Sequence, residues 1–263
     1  MSLSTFRVAT VNVHSFHDPS FTKRNTEDLI DILNKLDLDL IAAQEIEEIE
    51  DFSRFAQGLR LPHVAFGVSG KDYFENGIAS RYPIRSQSVR RTTRSSRAGT
   101  RSLLKCSLAG DHPFVQDRTF AVTHLDHINE ENRIEQLETF NPIKEKIDVL
   151  LGDMNALTRD DYSDDYFRRE IVDKRERFHW EVPCFDLTQL LTKKWSFHDA
   201  FKQMNPHLKD RHVSTCRFGT RIDYIYFRLS ANDRWTLKES YIVDTNGATD
   251  HNAVVAVFEQ RQS

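Results

Sequence analysis

Several apolar runs of this chain stop abruptly at a carboxylate, amide or imidazole, and this pattern constrains the fold more than any other feature. Each run has the length and the β-branched or aromatic content of a strand. Four of the runs are followed by polar groups at Asn12, Gln44-Glu45, His124 and the fragment Gly152-Asp153-Met154-Asn155. Because strand ends hold side chains rigidly where a sheet meets its loops, we expect these groups to share one cleft.

The spacing of apolar residues predicts the fold class. β-rich runs recur along the chain, as at 6–11 and 254–258, whereas helical spacing is found at 29–36 and 134–140. Long, irregular insertions separate the later strands, which argues against a regular βα repeat and favours a sheet-rich α/β sandwich with outer helices. No Gly-, Pro- or Ser-rich linker divides the chain, so residues 1–263 are expected to form one domain.

One connection stands out from the rest by its charge. The segment 157–182 is dense in charged residues of both signs. A connection of this length is usually functional or contains helices of its own. We expect a pair of solvated surface helices in this segment.

Composition excludes several classes of protein. At 39% hydrophobic and 29% charged residues, the 263-residue chain is typical of a soluble globular protein, and no apolar run is long enough to span a bilayer. Its three cysteines are widely spaced without a C-x-x-C pair, which argues against a disulfide framework and a cysteine-rich zinc site. The first residues lack the features of a secretory signal, so an intracellular location, cytoplasmic or nuclear, is expected.

The strand-end residues suit metal-assisted hydrolysis. Asn12 and Glu45 offer hard oxygen ligands, which favour Mg²⁺ or Mn²⁺ over zinc. A metal with few protein ligands keeps open positions for water and a phosphate oxygen, where it acts as a Lewis acid. Asp153 can orient or deprotonate an attacking water, and Asn155 can donate to a phosphate oxygen as negative charge builds.

Two histidines can add proton transfer near neutral pH, namely His124 and His251. Asp223 is a candidate carboxylate for fixing the tautomer of His251. Simpler interpretations exist, because the Gly152-Asp153 fragment is typical of a turn and a lone histidine is usually structural. The chain contains neither a G-x-S-x-G elbow nor a P-loop, so a serine hydrolase and a P-loop nucleotide site are not indicated.

Taken in order, these fragments resemble the endonuclease/exonuclease/phosphatase superfamily, which includes deoxyribonuclease I, apurinic endonucleases, sphingomyelinases and deadenylases. The resemblance covers nearly the whole chain, from Val8 to Phe258. Each fragment is short, but the ordered set is specific and argues against a turn alone at Asp153. The matching fragments are Asn12, Gln44-Glu45, 76–84, 123–125, Arg133 with Gln136, 152–155, 221–225 and 249–251.

The resemblance implies a four-layer α/β sandwich, in which two central, largely antiparallel sheets are flanked by helices. It also implies in-line attack of water on a phosphoester, assisted by one or two Mg²⁺ ions. Asn12 and Glu45 match positions on the metal side of the family's site. Asp250 matches a position that can touch a metal through water.

The same resemblance implies roles for the remaining polar residues. Asp153 and Asn155 match the pair that orients the nucleophile and binds phosphate. His251 matches the histidine that contacts phosphate, with Asp223 as its carboxylate partner. His124 matches a histidine that contacts phosphate or assists the leaving group in several branches.

Departures from the family pattern leave the branch unassigned. Val11 replaces the aromatic residue often found before the first Asn, and Ala253 stands where Pro commonly follows the terminal Asp-His. His124 stands where apurinic endonucleases usually carry Tyr. The Cys-Asp-Arg signature of inositol phosphatases and the Leu-Arg-Asp continuation of tyrosyl-DNA phosphodiesterases are both missing.

A basic strip runs from Arg81 to Lys105, with eight basic residues and no acidic one, although the net charge of the chain is −4. Arginine suits bidentate phosphate contacts, and the strip favours a polyanionic substrate such as nucleic acid. The alternative is a strand pair whose exposed face happens to be basic. The expected substrate-binding residues are Arg81, Arg90, Arg91, Arg94, Arg97 and Arg101.

Other functions stay open at this stage. A phosphomonoesterase or a sphingomyelinase-like lipid phosphodiesterase fits the same fragments, although no amphipathic segment favours a lipid substrate. A non-catalytic phosphate-binding module is less consistent with the intact set of polar strand ends. Trp180, Trp195 and Phe218 can stack on bases, although buried positions are more common for such residues. No obligate protein partner is indicated.

Overall fold

The computed structural model describes residues 4–67, 74–92 and 99–261, and these residues form two six-stranded sheets. The strands are β1 Thr5–Asn12, β2 Leu40–Ile46, β3 His63–Phe66, β4 Glu75–Ser80, β5 Ile84–Arg91, β6 Ser102–Leu108, β7 Thr119–His124, β8 Val149–Asp153, β9 His198–Asp199, β10 Asp223–Phe227, β11 Trp235–Val243 and β12 Ala253–Gln260. Sheet 1 has the strand order β11-β12-β1-β2-β4-β3. Sheet 2 has the order β5-β6-β7-β8-β10-β9.

Short helices connect the strands of the described segments. The α-helices are α1 Thr26–Leu33, α2 Ile49–Gly58, α3 Glu130–Phe140, α4 Asp164–Tyr166, α5 Asp173–Arg177, α6 Asp186–Gln189 and α7 Ala200–Met204. A π-helical segment, Phe167–Val172, joins α4 to α5, and a second one, Leu190–Lys194, continues α6. No helix in the described ranges is long and apolar enough to cross a bilayer.

Each sheet contains one parallel pair among antiparallel neighbours. β1 runs parallel to β2, and β7 runs parallel to β8, whereas the other strand pairs are antiparallel. The prediction of two mixed, largely antiparallel sheets is therefore confirmed. Parallel neighbours end at the same edge of a sheet, so Asn12 pairs with Gln44, and His124 pairs with Asp153. This register brings the polar strand ends together in pairs.

Alternation along the strands builds the four layers. Successive side chains of a strand point to opposite faces, so Val8 of β1 lies between the sheets while Ala9 faces the helices. The outer face of sheet 1 packs against apolar residues of α1 and α2, such as Leu29 and Phe52. The outer face of sheet 2 packs against α3 and α6, as at Leu137. Central strands consequently bury both faces, which explains their continuous apolar runs.

The two helices expected from apolar spacing are present. Helix α1 begins at Thr26 directly after Asn25, but the Asn25 side chain donates to the backbone carbonyls of Val13, His17 and Ala248 rather than capping the helix. Helix α3 is capped by Asn129, whose side chain accepts from Asn132 N. It ends at Phe140, and the following residue, Asn141, adopts a left-handed conformation just before a proline that cannot continue a helix.

The charged connection does not form the expected pair of surface helices. It contains one helical stretch, α4 to α5, and a 3-10 turn at Arg159–Asp161. This stretch packs on the body through a small apolar cluster that includes Tyr162, Ile171 and Val213. These few apolar positions were not recognised in the sequence because charged residues surround them. They attach the segment to the surface of the protein.

Candidate active site

The carboxylate of Asp153 lies at the centre of the polar strand ends. The side chain projects from the end of β8, between His124 of β7 and Asp223 of β10 in the register of sheet 2. Asp153 Oδ2 is 3.3 Å from Asn12 Nδ2, 3.5 Å from His124 Nε2 and 3.9 Å from His251 Nε2. Because β1 of sheet 1 packs against β8 of sheet 2, one carboxylate joins residues of both sheets.

Gly152 and Asn155 fix the position of that carboxylate. Gly152 has a φ of +139°, and a Cβ atom there would lie 1.9 Å from Thr123 O, so only glycine permits this approach of β8 to β7. Asn155 N donates to Asp153 Oδ1 at 2.9 Å, and Asn155 Nδ2 donates to Leu125 O at 3.1 Å. Gly152 and Asp153 therefore belong to β8 rather than to a turn, and the contact from Asn155 N to the Asp153 side chain holds the catalytic candidate in place.

Glu45 enters the site through a break in the register of β2. The pairing of β2 with β4 shifts between Ala43 and Ile46, and Glu45 has a φ of +60°, which a residue with a side chain rarely adopts. Asn12 Nδ2 donates to Glu45 Oε1 at 2.9 Å, while Asn12 Oδ1 accepts from His14 N at 3.0 Å. One amide therefore bridges the carboxylates of Glu45 and Asp153, and strained backbone marks the junction.

His251 and Asp223 form a hydrogen-bonded pair. His251 Nδ1 donates to Asp223 Oδ2 at 2.9 Å, which leaves Nε2 directed towards Asp153 and 4.0 Å from Asp250 Oδ1. The loop that carries His251 is tied to the end of β1, because Thr249 Oγ1 donates to Asn12 O at 2.9 Å. This geometry selects the tautomer, or the imidazolium, that carries a proton on Nδ1.

Electrostatics separate the pKa values of the three central groups. Burial, followed by the charge of Asp223, raises the pKa of Asp153 to about 7. Burial, followed by the charges of Arg101 and His251, keeps the pKa of His124 well below its ordinary value. Although burial opposes it, the carboxylates of Asp223 and Asp153 raise the pKa of His251 well above its ordinary value. Such divergence lets one histidine carry a proton while its neighbour stays neutral.

The arginines of the basic strip occupy different places. Arg81 follows β4 at the opposite edge of sheet 1, where it bonds Asp37 and Asp39. Arg90 reaches the end of α3 on the outer face of sheet 2, where it bonds Thr139 O and Phe140 O. These contacts hold both side chains away from the strand ends that surround Asp153.

Two other arginines of the strip lie near the edge that carries the site. Arg91 pairs with the buried carboxylate of Glu75. Arg101 is only 8% exposed, its Nη2 lies 3.2 Å from His127 Nδ1, and its Nε has no hydrogen-bond partner among the described residues. Burial lowers the pKa of Arg101, although the nearby charge of Asp153 opposes this effect. Arg94 and Arg97 lie outside the described residues.

Three residues near this site were not predicted from the sequence to lie there. His127 contacts Arg101, Arg217 N donates to Asp250 O, and Cys216 forms an isolated β-bridge with His251. His127 could have been suspected, because it follows His124 by three residues at a strand end. Cys216 and Arg217 carry no sequence signal, since their position depends on how the loop before β10 folds.

Comparison with known protein families identifies the family to which the chain belongs. The sequence profile of the endonuclease/exonuclease/phosphatase family matches residues 9–251, and the chain belongs to this family. Members of this superfamily are phosphoester hydrolases and generally depend on a divalent metal. No curated protein sequence matches the chain closely enough to serve as a relative.

Solved structures share the fold at low sequence identity. An endonuclease/exonuclease/phosphatase from Beutenbergia cavernae DSM 12333 superimposes with a TM-score of 0.71 at 17% identity, covering 98% of this chain and 72% of that chain. An AP endonuclease from Archaeoglobus fulgidus gives 0.66 at 20% identity, with 96% and 99% coverage. ANGEL2, a 2′,3′-cyclic phosphatase solved with adenosine-2′,3′-vanadate, gives 0.68 at 15% identity, with 98% and 96% coverage.

The residues at this site fit a divalent cation. Asp223 Oδ1 and Asp250 Oδ1 are buried without a hydrogen-bond partner among the described residues. Ligand atoms of Asp153, Asp223 and His251 all lie within 4.8 Å of one another, but the hydrogen bond from His251 Nδ1 to Asp223 leaves the carboxylate oxygens as the available ligands of this group. Carboxylates held this close repel one another, and a bound cation would offset that repulsion.

Proposed function

We propose that this protein hydrolyses a phosphodiester by metal-assisted in-line attack of water, and that its substrate is nucleic acid. The observation that supports the proposal most is the convergence of strand-end residues from both sheets, namely Asn12, Glu45, His124, Asp153 and His251. These residues come from β1, β2, β7, β8 and the segment just before β12. Membership of a family of phosphoester hydrolases supports the same reaction class.

Asp153 is the proposed base for the attacking water. Its carboxylate, with a pKa raised to about 7, can accept a proton near neutral pH while remaining ionised in part. The backbone N–H of Asn155 donates to Oδ1 of this carboxylate, and Oδ2, which also accepts from Asn12 Nδ2, is the oxygen proposed to orient the water. Asn155 Nδ2 has a second hydrogen beyond the one given to Leu125 O, and this hydrogen can bind a phosphate oxygen.

His251 is the proposed donor to the phosphate. Its raised pKa keeps Nε2 protonated at neutral pH, and Asp223 stabilises the imidazolium through Nδ1. A cationic donor at this place counters the negative charge that builds on the equatorial oxygens in the transition state. His124, whose pKa is lowered, stays neutral and can accept or donate a hydrogen bond beside the leaving group.

We assign the metal site to Glu45 and Asn12, with Asp250 acting through water, and the ion to Mg²⁺, with Mn²⁺ as the alternative. When bound, the ion would act as a Lewis acid on the phosphate oxygen, and its positive charge would offset the negative charge of the carboxylates. His251 is excluded from the ligand set of this proposal, because its Nδ1 donates to Asp223 and its high pKa keeps Nε2 protonated. Hard oxygen donors on the remaining residues favour these two ions.

Arg101 is the described arginine that best supports a polyanionic substrate. The guanidinium is buried beside His124, and its Nε lacks a partner among the described residues. A buried cation with an unmet donor is suited to a phosphate oxygen adjacent to the scissile bond. The roles first expected for Arg81 and Arg90 receive no support from the ion pairs and carbonyl contacts that engage them.

Hydrolysis of bis(p-nitrophenyl) phosphate tests the proposal. We expect turnover with Mg²⁺, no turnover in EDTA, and a loss of at least about 10²-fold in Asp153→Asn and His251→Ala, as for removal of a general base or an electrostatic donor. Activity unaffected by the chelator and by both substitutions would exclude the mechanism. A panel of single-stranded DNA, abasic duplex, RNA, sphingomyelin and phosphomonoesters then identifies the substrate.

A further inference from the structure

An exposed cluster of aromatic side chains lies beside the candidate active site. Phe178 and Trp180 follow helix α5, whereas Phe218 lies in the loop before β10. These residues are 53%, 42% and 39% exposed, although large aromatic residues are ordinarily buried. We call this set the aromatic platform. Two segments that are distant in sequence meet to form it.

The rings of the platform are arranged at two angles. Phe178 and Trp180 stack with their centroids 5.2 Å apart and an interplanar angle of 26°. Phe218 meets Trp180 edge-on, at 5.1 Å and 79°. The three rings thus present two nearly perpendicular aromatic surfaces. A flat aromatic ligand could stack against one surface while its edge contacts the other.

The platform is connected directly to the catalytic residues. Cys216 forms a β-bridge with His251, and the next residue, Arg217, bonds Asp250 O through its backbone and lies 3.6 Å from Asp250 Oδ2 through Nε. Phe218 follows at once. Two residues of chain span at most about 7 Å, so this platform residue lies close to the loop that carries His251.

Cationic groups accompany the rings. The guanidinium of Arg217 lies 4.9 Å from the ring centroid of Phe218, and Lys174 Nζ donates to Phe218 O at 3.2 Å. Interleaved aromatic and cationic groups are the combination with which proteins bind single-stranded nucleic acid, since bases stack and phosphates pair with the charges. This combination distinguishes the platform from a purely apolar docking face.

We propose that the aromatic platform is a subsite that stacks an unpaired nucleobase of a single-stranded nucleic acid whose phosphodiester lies at Asp153 and His251. This assignment rests on the proposed function and narrows its substrate. A base within a duplex is already stacked and paired, and exposing it costs free energy. The platform therefore selects single strands, loops or ends over continuous duplex.

The test measures affinity in the Asp153→Asn background, where the proposed chemistry is stopped. The probes are a thymidine 12-mer, a base-free 12-mer of tetrahydrofuran phosphodiesters, and the thymidine 12-mer in duplex form. Adding Trp180→Ala should weaken binding of the thymidine strand at least about fivefold, the change expected for loss of about 1 kcal/mol from one stacked base. Affinity for the base-free strand and for the duplex should change less than twofold.

Two conservative variants separate stacking from bulk. Trp180→Phe keeps an aromatic face and should retain most of the affinity for the thymidine strand, whereas Trp180→Leu keeps apolar bulk and should lose it. An unchanged affinity in Trp180→Ala, or an equal loss on the base-free strand, would overturn the proposal. Trp180-dependent binding to phosphatidylcholine vesicles without any preference for the thymidine strand would also overturn it, in favour of a lipid surface.

Failure of the platform and failure of the proposed function give different results. The binding comparison does not require turnover, and hydrolysis with its EDTA and His251→Ala controls does not require a base. If the protein hydrolyses the phosphodiester but Trp180 contributes equally to binding of both 12-mers, the proposed function holds and the proposed base-stacking subsite is rejected. Melting temperatures of the Trp180 variants within a few degrees of the parent establish that the fold is kept.

Discussion

The side-chain amide of Asn12 donates to Glu45 Oε1 at 2.9 Å across the parallel pair of β1 and β2. The same nitrogen lies 3.3 Å from Asp153 Oδ2, so one NH₂ group links carboxylates carried by two different sheets. This bridge holds like charges close together before any cation arrives. The strength of the bridge can be measured through the response of the protein to a metal.

We expect Asn12→Asp to lower the melting temperature in EDTA by roughly 2–10 °C, because a third carboxylate replaces the bridging donor. Excess Mg²⁺ should raise that temperature more in the variant than in the parent, since bound cation offsets the added repulsion. Differential scanning fluorimetry measures both values. Asn34→Asp is the matched control, because the Asn34 oxygen accepts from Arg60 on the surface. An equal response to Mg²⁺ in parent and Asn12→Asp would contradict this interpretation.

Glu45→Gly should separate stability from activity. The left-handed φ of +60° at Glu45 is strained for a residue with a side chain and relaxed for glycine, so the free energy of unfolding should stay within about 1 kcal/mol of the parent. Activity should fall at least about 10²-fold, because the proposed metal ligand is lost. Urea denaturation gives the stability. In contrast, Gln44→Gly should lower the free energy of unfolding, since Gln44 is paired with Asn12 and its side chain bonds Thr10. Stability lost equally in both variants would refute the role of strain.

Asp223→Asn should lower the pKa of His251. In the parent, burial lowers this pKa, but the charge of Asp223 and then that of Asp153 raise it well above the ordinary value. Removing the Asp223 charge leaves burial less opposed, so the imidazolium loses its proton at lower pH. The pKa of Asp153, raised to about 7 by burial and then by Asp223, should fall as well. Imidazole ¹H–¹⁵N spectra of the metal-free protein, recorded against pH, follow His251. A pKa that stays in place or rises would disprove the electrostatic account.

Arg101→Ala should reduce the steepness with which substrate affinity falls as salt rises, by about one unit of the logarithmic slope, if Arg101 contacts one phosphate. Arg81→Ala should leave the slope unchanged, because Arg81 bonds Asp39 and Leu38 O at the far edge of sheet 1. Fluorescence anisotropy with a labelled oligonucleotide at several salt concentrations measures both slopes. An effect in Arg81→Ala alone would reverse this assignment.

A thiol reagent should modify one cysteine of the native protein rapidly. Burial raises the pKa of Cys106 to about 12, and this residue is 1% exposed, so its thiolate is scarce and inaccessible. Cys216 is also buried, whereas Cys184 is partly exposed. We expect one fast equivalent with dithiobis(nitrobenzoate), lost in Cys184→Ser, and two more after denaturation. Fast reaction in the Cys184→Ser variant would show that the loop at Cys216 opens.

The α/β sandwich and the grouping of polar strand ends follow from local sequence signals. Apolar runs that end in Asn12, His124 and Asp153 are short enough for strands, and their polar ends can meet only where parallel neighbours finish together. The grouping of these strand ends can therefore be predicted without knowing to which sheet each strand belongs. The assignment of roles to these residues stays a prediction that the experiments above address.

Long-range strand order decides what local signals cannot. Arg81 follows β4, which runs antiparallel to β2, so the residue lies five positions, roughly 17 Å of strand, from Glu45. From sequence alone, Arg81 and Arg101 looked equivalent members of one basic strip. Two other features depend on tertiary contacts as well. One is the register shift that directs Glu45 into the site, and the other is the contact between Trp180 and Phe218.

Strand β1 lies in the middle of sheet 1, hydrogen-bonded to β12 on one side, with Thr5 opposite Glu259. In a chain made from its N-terminus, β1 therefore has both of its neighbours in sheet 1 only after synthesis has passed Glu259. His251, two residues before β12, is synthesised after all the other residues of the candidate site. Because its residues extend from Asn12 to His251, the candidate site should be incomplete on any nascent chain that ends before β12, whatever phosphoester it acts on.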